Sequence, residues 1–148
     1  MMLEPLKVQG RSEMLTQLMD YVAWAAAGAG LGEPAIYRLS LAVDEIATNI
    51  VQYGYEQGHK VGELKVWADT NAEELIVYLE DTGHPFDPRL APPPDDLDRP
   101  LEERRTGGLG IFLALWGVDH FAYERDGELN RSIFVMKLGE RGSNTLSD

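Results

Sequence analysis

Three short segments of this chain bring together residue types that can handle a phosphorylated ligand. Glu45 and Asn49 stand four residues apart in Asp44-Glu45-Ile46-Ala47-Thr48-Asn49. On a helix that spacing puts both on one face, about 6 Å apart along the axis. A carboxylate there can orient or deprotonate an attacking group, and an amide oxygen can ligate a hard cation such as Mg²⁺. Asp81-Thr82-Gly83 follows an apolar stretch and leads into His84-Pro85-Phe86-Asp87-Pro88. Aspartate at a strand end can accept a hydrogen bond from an exocyclic amine such as that of adenine, and glycine beside it lets a ligand approach the backbone. The third segment is Thr106-Gly107-Gly108-Leu109-Gly110. Glycine-rich backbone entering a helix offers unpaired N–H groups and the positive end of the helix dipole, both suited to phosphate. Each segment also has an ordinary structural reading: a solvated helix face, a strand-terminating turn, a hinge. The glycine run is not a Walker A loop, because no Gly-Lys-Ser/Thr follows, and no βαβ unit surrounds it as a dinucleotide fingerprint requires.

The elements that must position these segments are legible from hydrophobic spacing. Leu3 to Gln9 reads as a short edge strand interrupted by Pro5. Ser12 is the expected N-cap of a first helix carrying Leu15, Leu18, Met19, Val22 and Ala26, stopped by Gly28 and Gly30. Pro34 sits where a first helical turn accepts it. Ile36, Leu39, Val43, Ile46 and Ile50 then form the apolar stripe of a second helix, expected to end near Gly54. Leu64, Val66 and Ala68 alternate, Asn71-Ala72 turns, and Leu75, Val77 and Leu79 alternate again, which predicts an antiparallel hairpin. Asp81 to Arg105 is irregular and proline-rich; a long loop of this kind is usually functional. A third helix runs to about Trp116, and Val118 to Glu124 pairs with Arg131 to Leu138 around Asp126-Gly127. The order predicts an α+β two-layer sandwich: a mostly antiparallel sheet with helices on one face, one domain over residues 1–148, without internal repeats.

Composition narrows the function classes. The 148 residues hold 13 Lys+Arg against 25 Asp+Glu, a net charge of −12, which repels nucleic acid and anionic membranes alike. Without cysteine there is no disulfide, thiolate metal site or cysteine nucleophile, a composition suited to a reducing cytoplasm. The start does not read as a signal peptide, and the longest weakly polar stretches, Tyr21 to Gly32 and Leu109 to Val118, fall short of the roughly 18–20 residues of a membrane helix. His59, His84 and His120 are spaced as surface or loop residues, and Trp24, Trp67 and Trp116 as core or interface aromatics.

The order of the three segments resembles the GHKL (Bergerat-fold) ATPase and kinase superfamily, from about Leu41 to Leu138. There they correspond to the N, G1 and G2 boxes, with a mobile ATP lid, here about 88–106, before the last. Asp44 to Asn49, the Asp81 to Pro88 run with its Pro-Phe-Asp-Pro, and Gly107 to Phe112 are most similar to the small bacterial anti-sigma-factor serine/threonine kinases. The resemblance implies ATP and Mg²⁺ as cofactors. It implies Asn49 as the Mg²⁺ ligand, Glu45 as general base or orienting carboxylate, and Asp81 with Gly83 at adenine. Gly107, Gly108, Leu109 and Gly110 are then phosphate contacts, Arg105 a γ-phosphate contact, and Ser132 a water-mediated neighbour of adenine. The implied acceptor is a serine or threonine of an anti-sigma-factor antagonist, and the implied second partner a sigma factor held by a homodimer. One departure is Tyr53, where the family commonly carries a histidine; it bears on rate rather than fold. Two other readings use the same pocket. One is a non-catalytic module whose nucleotide gates partner affinity. The other is the ATP domain of a two-component histidine kinase, disfavoured because the first helix contains no histidine.

Overall fold

The computed structural model describes residues 1–56, 59–90, 111 and 114–138. Five strands form one antiparallel sheet: β1 (Leu6–Gln9), β2 (Glu63–Thr70), β3 (Glu74–Asp81), β4 (His120–Asp126) and β5 (Leu129–Lys137), in the order β1-β2-β3-β5-β4. Two helices, α1 (Leu15–Ala29) and α2 (Glu33–Asn49), lie between β1 and β2 in sequence. This is the α+β sandwich that the alternating and helical spacings predict. The reason is visible in the register. Val8 faces Leu64, Val66 faces Leu79, and Val77 faces Phe134, so one face of the sheet presents a continuous apolar layer. Against it pack Leu18 and Val22 of α1 and Leu39, Val43 and Ile46 of α2, all nearly or fully buried. Each such side chain contributes about 1.5–3 kcal/mol when withdrawn from water.

The opposite face is polar and aromatic. The facing residues Lys65, Glu80, Arg131 and Glu124 alternate in charge across four strands. Arg131 Nε donates to Glu80 Oε2 at 2.8 Å and Arg131 Nη1 to Glu124 Oε1 at 2.9 Å. Trp67 stacks on Tyr78 here, ring centroids 4.9 Å apart, with Lys65 Nζ 5.0 Å from the indole. Trp67 thus lies on the outer sheet face, and Trp24 and Trp116 are 59% and 76% exposed, so none of the three belongs to the core.

Several local expectations need correction. The edge strand begins only at Leu6; before Pro5 a single bridge pairs Met2 with Asp69. Ser12 does not cap α1. It opens a 3-10 turn (Ser12–Met14), and α1 follows from Met14 without a side-chain cap bond. Gly30, at φ +95, ends α1 by turning its N–H back to the Ala26 and Ala27 carbonyls, a conformation that glycine adopts without strain. The second helix does not continue to Gly54 as an α-helix. It ends at Asn49 and widens into a π-helical turn over Ile50–Glu56. Of the third helix, Ile111 and Ala114 to Trp116 are helical among the described residues. The β4–β5 hairpin turns one residue later than expected, at Gly127-Glu128, because Asp126 still pairs with Leu129; Gly127 is at φ +63.

Candidate functional site

The site is assembled where α2 gives way to the π turn and where β3 ends. Ile46 and Val43 seat α2 against the sheet, which brings Asn49, one helical turn beyond Glu45, almost wholly inside at 6% exposure. Asn49 Nδ2 donates to the Glu45 carbonyl at 2.7 Å and to Glu45 Oε2 at 3.0 Å. Both amide hydrogens are thereby used, while Oδ1 accepts nothing from the described residues. No sealed side-chain oxygen or nitrogen among the described residues lacks a partner, so Oδ1 is open to the surface rather than entombed. Glu45 is half-buried. Burial pushes its carboxyl above the usual range; the bond from Asn49 opposes the shift and repulsion from Asp44 adds to it. A carboxylate of raised basicity beside an amide oxygen is a pair of groups able to take a proton and to hold a hard cation.

The π turn then delivers this helix end to the end of β3. Gly54 and Gly83 are in backbone contact; a Cβ on Gly83 would fall 2.9 Å from Gly54 Cα and 3.0 Å from its carbonyl oxygen. Tyr55, fully buried, clasps the same junction. Its hydroxyl accepts the Thr82 N–H at 2.8 Å and donates to the Glu63 carbonyl at 2.9 Å. The ring is wedged between Gly10 and Gly62, where an added Cβ would come within 2.5 and 2.6 Å of it. Lys60 Nζ closes the clasp on the Thr82 carbonyl at 2.7 Å. π-Helical insertions concentrate at functional sites because the widened turn redirects side chains without ending the helix.

Asp81 is 4% exposed at the end of β3. Its Oδ1 accepts the Gly83 N–H at 2.8 Å and Asn130 Nδ2 at 2.9 Å. Oδ2 accepts no bond from the described residues and, by the same reasoning as for Asn49, stays open. Burial raises the Asp81 carboxyl; the Asn130 bond, the Gly83 N–H, and the charges of Arg125 and Lys60 all pull it back. Asn130, 3% exposed, is absent from the residues that the sequence singles out. Its only signal is positional, in that counting the β3–β5 register places it opposite Asp81. Ser132, singled out for the adenine side, is buried two register positions along on the same sheet face, opposite Leu79. Downstream of Asp81, Asp87 is engaged by Arg89 through Nη2 to Oδ2 at 2.8 Å, a pairing that holds its carboxyl below the ordinary range. His59, His84 and His120 are exposed.

The structure therefore pairs Glu45 with Asn49 and Asp81 with Gly83, and the Gly54–Gly83 contact joins the segment that follows the first pair to the second. Arg105, Gly107, Gly108, Leu109 and Gly110, and the expected lid beyond residue 90, lie outside the described residues. No group of three or more His, Asp or Glu side chains capable of holding a metal forms among the described residues. Asn49 Oδ1, with the Glu45 carboxylate beside it, could supply the one or two protein oxygens by which Mg²⁺ is held alongside phosphates and water. Among the described residues no helix is long and apolar enough to cross a membrane.

Comparison with known proteins bears on the family and the fold. The chain is 28% identical over 111 residues to the serine-protein kinase RsbW of Bacillus cereus (strain AH187), spanning 73% of this chain and 68% of that protein. It is 25% identical to the serine-protein kinase RsbW of Staphylococcus aureus (strain JH9), spanning 73% and 70%. In fold it is similar to the crystal structure of the RsbU and RsbW domains of Rv1364c from Mycobacterium tuberculosis, with TM-score 0.61 and 14% identity. That likeness covers 92% of this chain but only 33% of that one. A histidine kinase domain from Erythrobacter litoralis matches at TM-score 0.53 and 20% identity, over 87% of this chain and 63% of that one. The family model of the histidine kinase-like ATPase domain, a GHKL-type nucleotide fold, matches residues 8–136, and the chain belongs to that family.

Proposed function

We propose that this chain is an ATP-dependent serine/threonine protein kinase that phosphorylates an anti-sigma-factor antagonist and, as a homodimer, holds a sigma factor. The observation that carries the reading is the contact of Gly54 with Gly83, which joins the Glu45–Asn49 helix end to the Asp81 strand end. A nucleotide with its base amine at Asp81 Oδ2 then has its phosphates toward Asn49, and the acceptor hydroxyl meets Glu45.

Each residue has a defined task in that reaction. Asp81 accepts the exocyclic amine, with Gly83 beside it packed on Gly54. Asn49 Oδ1 holds Mg²⁺, which when bound neutralises phosphate charge. Glu45 takes the proton as the serine oxygen bonds to the γ-phosphorus and the bond to the β–γ bridging oxygen breaks, releasing ADP. Most of the rate comes from positioning and charge neutralisation. Arg105 and the backbone of Gly107 to Gly110 complete the phosphate contacts in this reading, and the segment 88–106 serves as lid of a single domain. The acidic chain, net −12, suits a basic face on the sigma factor.

The test is transfer from Mg-[γ-³²P]ATP to purified anti-sigma-factor antagonists. Phosphoserine or phosphothreonine forms with the wild-type chain and is lost in Asn49→Ala. Transfer that persists in Asn49→Ala contradicts the assigned site, and no transfer beside intact nucleotide binding favours a nucleotide-gated binding module.

A further inference from the structure

Arg125, Asn130 and Asp81 face one another across three adjacent strands, β4, β5 and β3. The row lies on the sheet face that carries the candidate site, and Asn130 at its centre uses every hydrogen-bonding position it has. Nδ2 donates to Asp81 Oδ1 at 2.9 Å and to the Gly83 carbonyl at 3.0 Å. Oδ1 accepts from Arg125 Nη1 at 2.8 Å and from the Tyr123 hydroxyl.

Chemistry permits the amide only one orientation. A guanidinium can only donate, and an ionised carboxylate and a carbonyl can only accept. Turning the amide over would set NH2 against the guanidinium and oxygen against two oxygens. The NH2 is therefore locked toward Asp81 and Gly83. Two donors, Asn130 Nδ2 and the Gly83 N–H, converge on Asp81 Oδ1, where both stabilise the ionised carboxylate and oppose the rise that burial imposes. With both donors on Oδ1, the ionised carboxylate presents Oδ2 as an acceptor. It pairs with a ligand N–H and rejects a ligand carbonyl, because two acceptors would be left facing each other without a hydrogen.

We propose that Asn130 is the positioning residue that makes this site choose a 6-amino purine over a 6-oxo purine, with Arg125 enforcing its orientation from the hairpin edge. The inference rests on reading Asp81 as the base-binding carboxylate. It adds a cause of selectivity that neither the strand-end Asp-x-Gly pattern nor the family match contains. Asn130 touches no ligand in this account; it acts through Asp81.

The experiment is calorimetric titration of the full chain with three probes: ADP, inosine diphosphate, and purine riboside diphosphate, which has no substituent at position 6. Wild type is expected to bind ADP at least tenfold more tightly than inosine diphosphate. Asn130→Asp keeps the side-chain shape but turns an oxygen toward Asp81. Two adjacent carboxylates then share a proton, and Asp81 can donate as well as accept. The ADP preference should fall at least fivefold while purine riboside diphosphate affinity stays within twofold. A purely structural role would weaken all three ligands together, and that result, or an unchanged preference, overturns the proposal. If Asn130→Asp does not fold, Arg125→Met on the exposed edge reads the same row. A twofold or larger drop in the preference supports the proposal, and an unchanged one overturns it. Failure of wild type to bind any of the three probes defeats the nucleotide-site reading itself, and this inference with it.

Discussion

The two ends of the candidate site are built from different materials. At the Asp81 end a carboxylate is set in a β-ladder, with Asn130 and the Gly83 N–H on one oxygen and Arg125 behind the asparagine. At the Glu45–Asn49 end the groups sit where an α-helix loosens into a π turn, and their side chains hydrogen-bond to each other. Each end leaves one oxygen open, Asp81 Oδ2 or Asn49 Oδ1. The difference is in what fixes them. Strand register leaves Asp81 little freedom, which under the proposed function suits recognition of a rigid base. A helix terminus tolerates the small adjustments that, under the same proposal, a metal, a phosphate and an incoming hydroxyl would require.

That contrast predicts distinct consequences for removing a group at either end. The largest effect belongs to Glu45→Gln, which should lower phosphoryl transfer by about 10²- to 10⁴-fold while ADP affinity holds, read by steady-state kinetics beside calorimetry. A parallel loss of ADP affinity would erase the distinction between the ends. Next is Asp81→Asn, which should weaken adenine nucleotide binding by about ten- to a hundredfold, the range of a lost charged hydrogen bond of about 1.5–3 kcal/mol.

The same substitution should stabilise the empty protein. The folded Asp81 carboxyl lies above its ordinary value, chiefly through burial, so the folded chain binds that proton more tightly than the unfolded chain does. The stability cost of the ionised group is absent below the ordinary carboxyl range and grows as pH rises through the raised value. Urea unfolding of Asp81→Asn should therefore coincide with wild type in acid and exceed it at neutral pH.

The junction between the ends comes third. Gly83→Ala drives a Cβ to 2.9 Å from Gly54 Cα, backbone against backbone, and should cost about 1–3 kcal/mol in urea unfolding together with weaker nucleotide binding. Tyr55→Phe leaves the Thr82 N–H without its 2.8 Å partner and should cost a similar 1–3 kcal/mol or so, with the ring packing retained. The smallest change is Glu124→Gln on the outer sheet face. It removes an exposed ion pair to Arg131 and should move stability by less than about 0.5 kcal/mol.

How much of this was readable beforehand differs by element. Alternation at Leu64, Val66 and Ala68 and at Leu75, Val77 and Leu79 identifies the central hairpin because one face must be buried, and a shift by one residue would expose it. The four-residue spacing of Glu45 and Asn49 likewise predicts their contact. The π turn was not readable. Ile50, Val51, Gly54 and Tyr55 continue a helical spacing, and the widening accompanies the packing of Gly54 on Gly83, residues far apart in sequence. Asn130 was hidden for the same reason, since it reads as one polar residue in a hairpin until strand pairing sets it against Asp81. Ser12 misled because a residue of good capping type makes no cap bond where a 3-10 turn intervenes.

The central claim is that Asn49 and Asp81 grip one nucleotide at its two ends. Its most direct test is the dissociation constant of ADP measured across a magnesium series for wild type, Asn49→Ala and Asp81→Asn. The account predicts that magnesium tightens ADP binding in wild type, that Asn49→Ala flattens this dependence, and that Asp81→Asn weakens binding at every magnesium concentration with the dependence intact. A magnesium response unchanged by Asn49→Ala, or ADP affinity indifferent to Asp81→Asn, would contradict it.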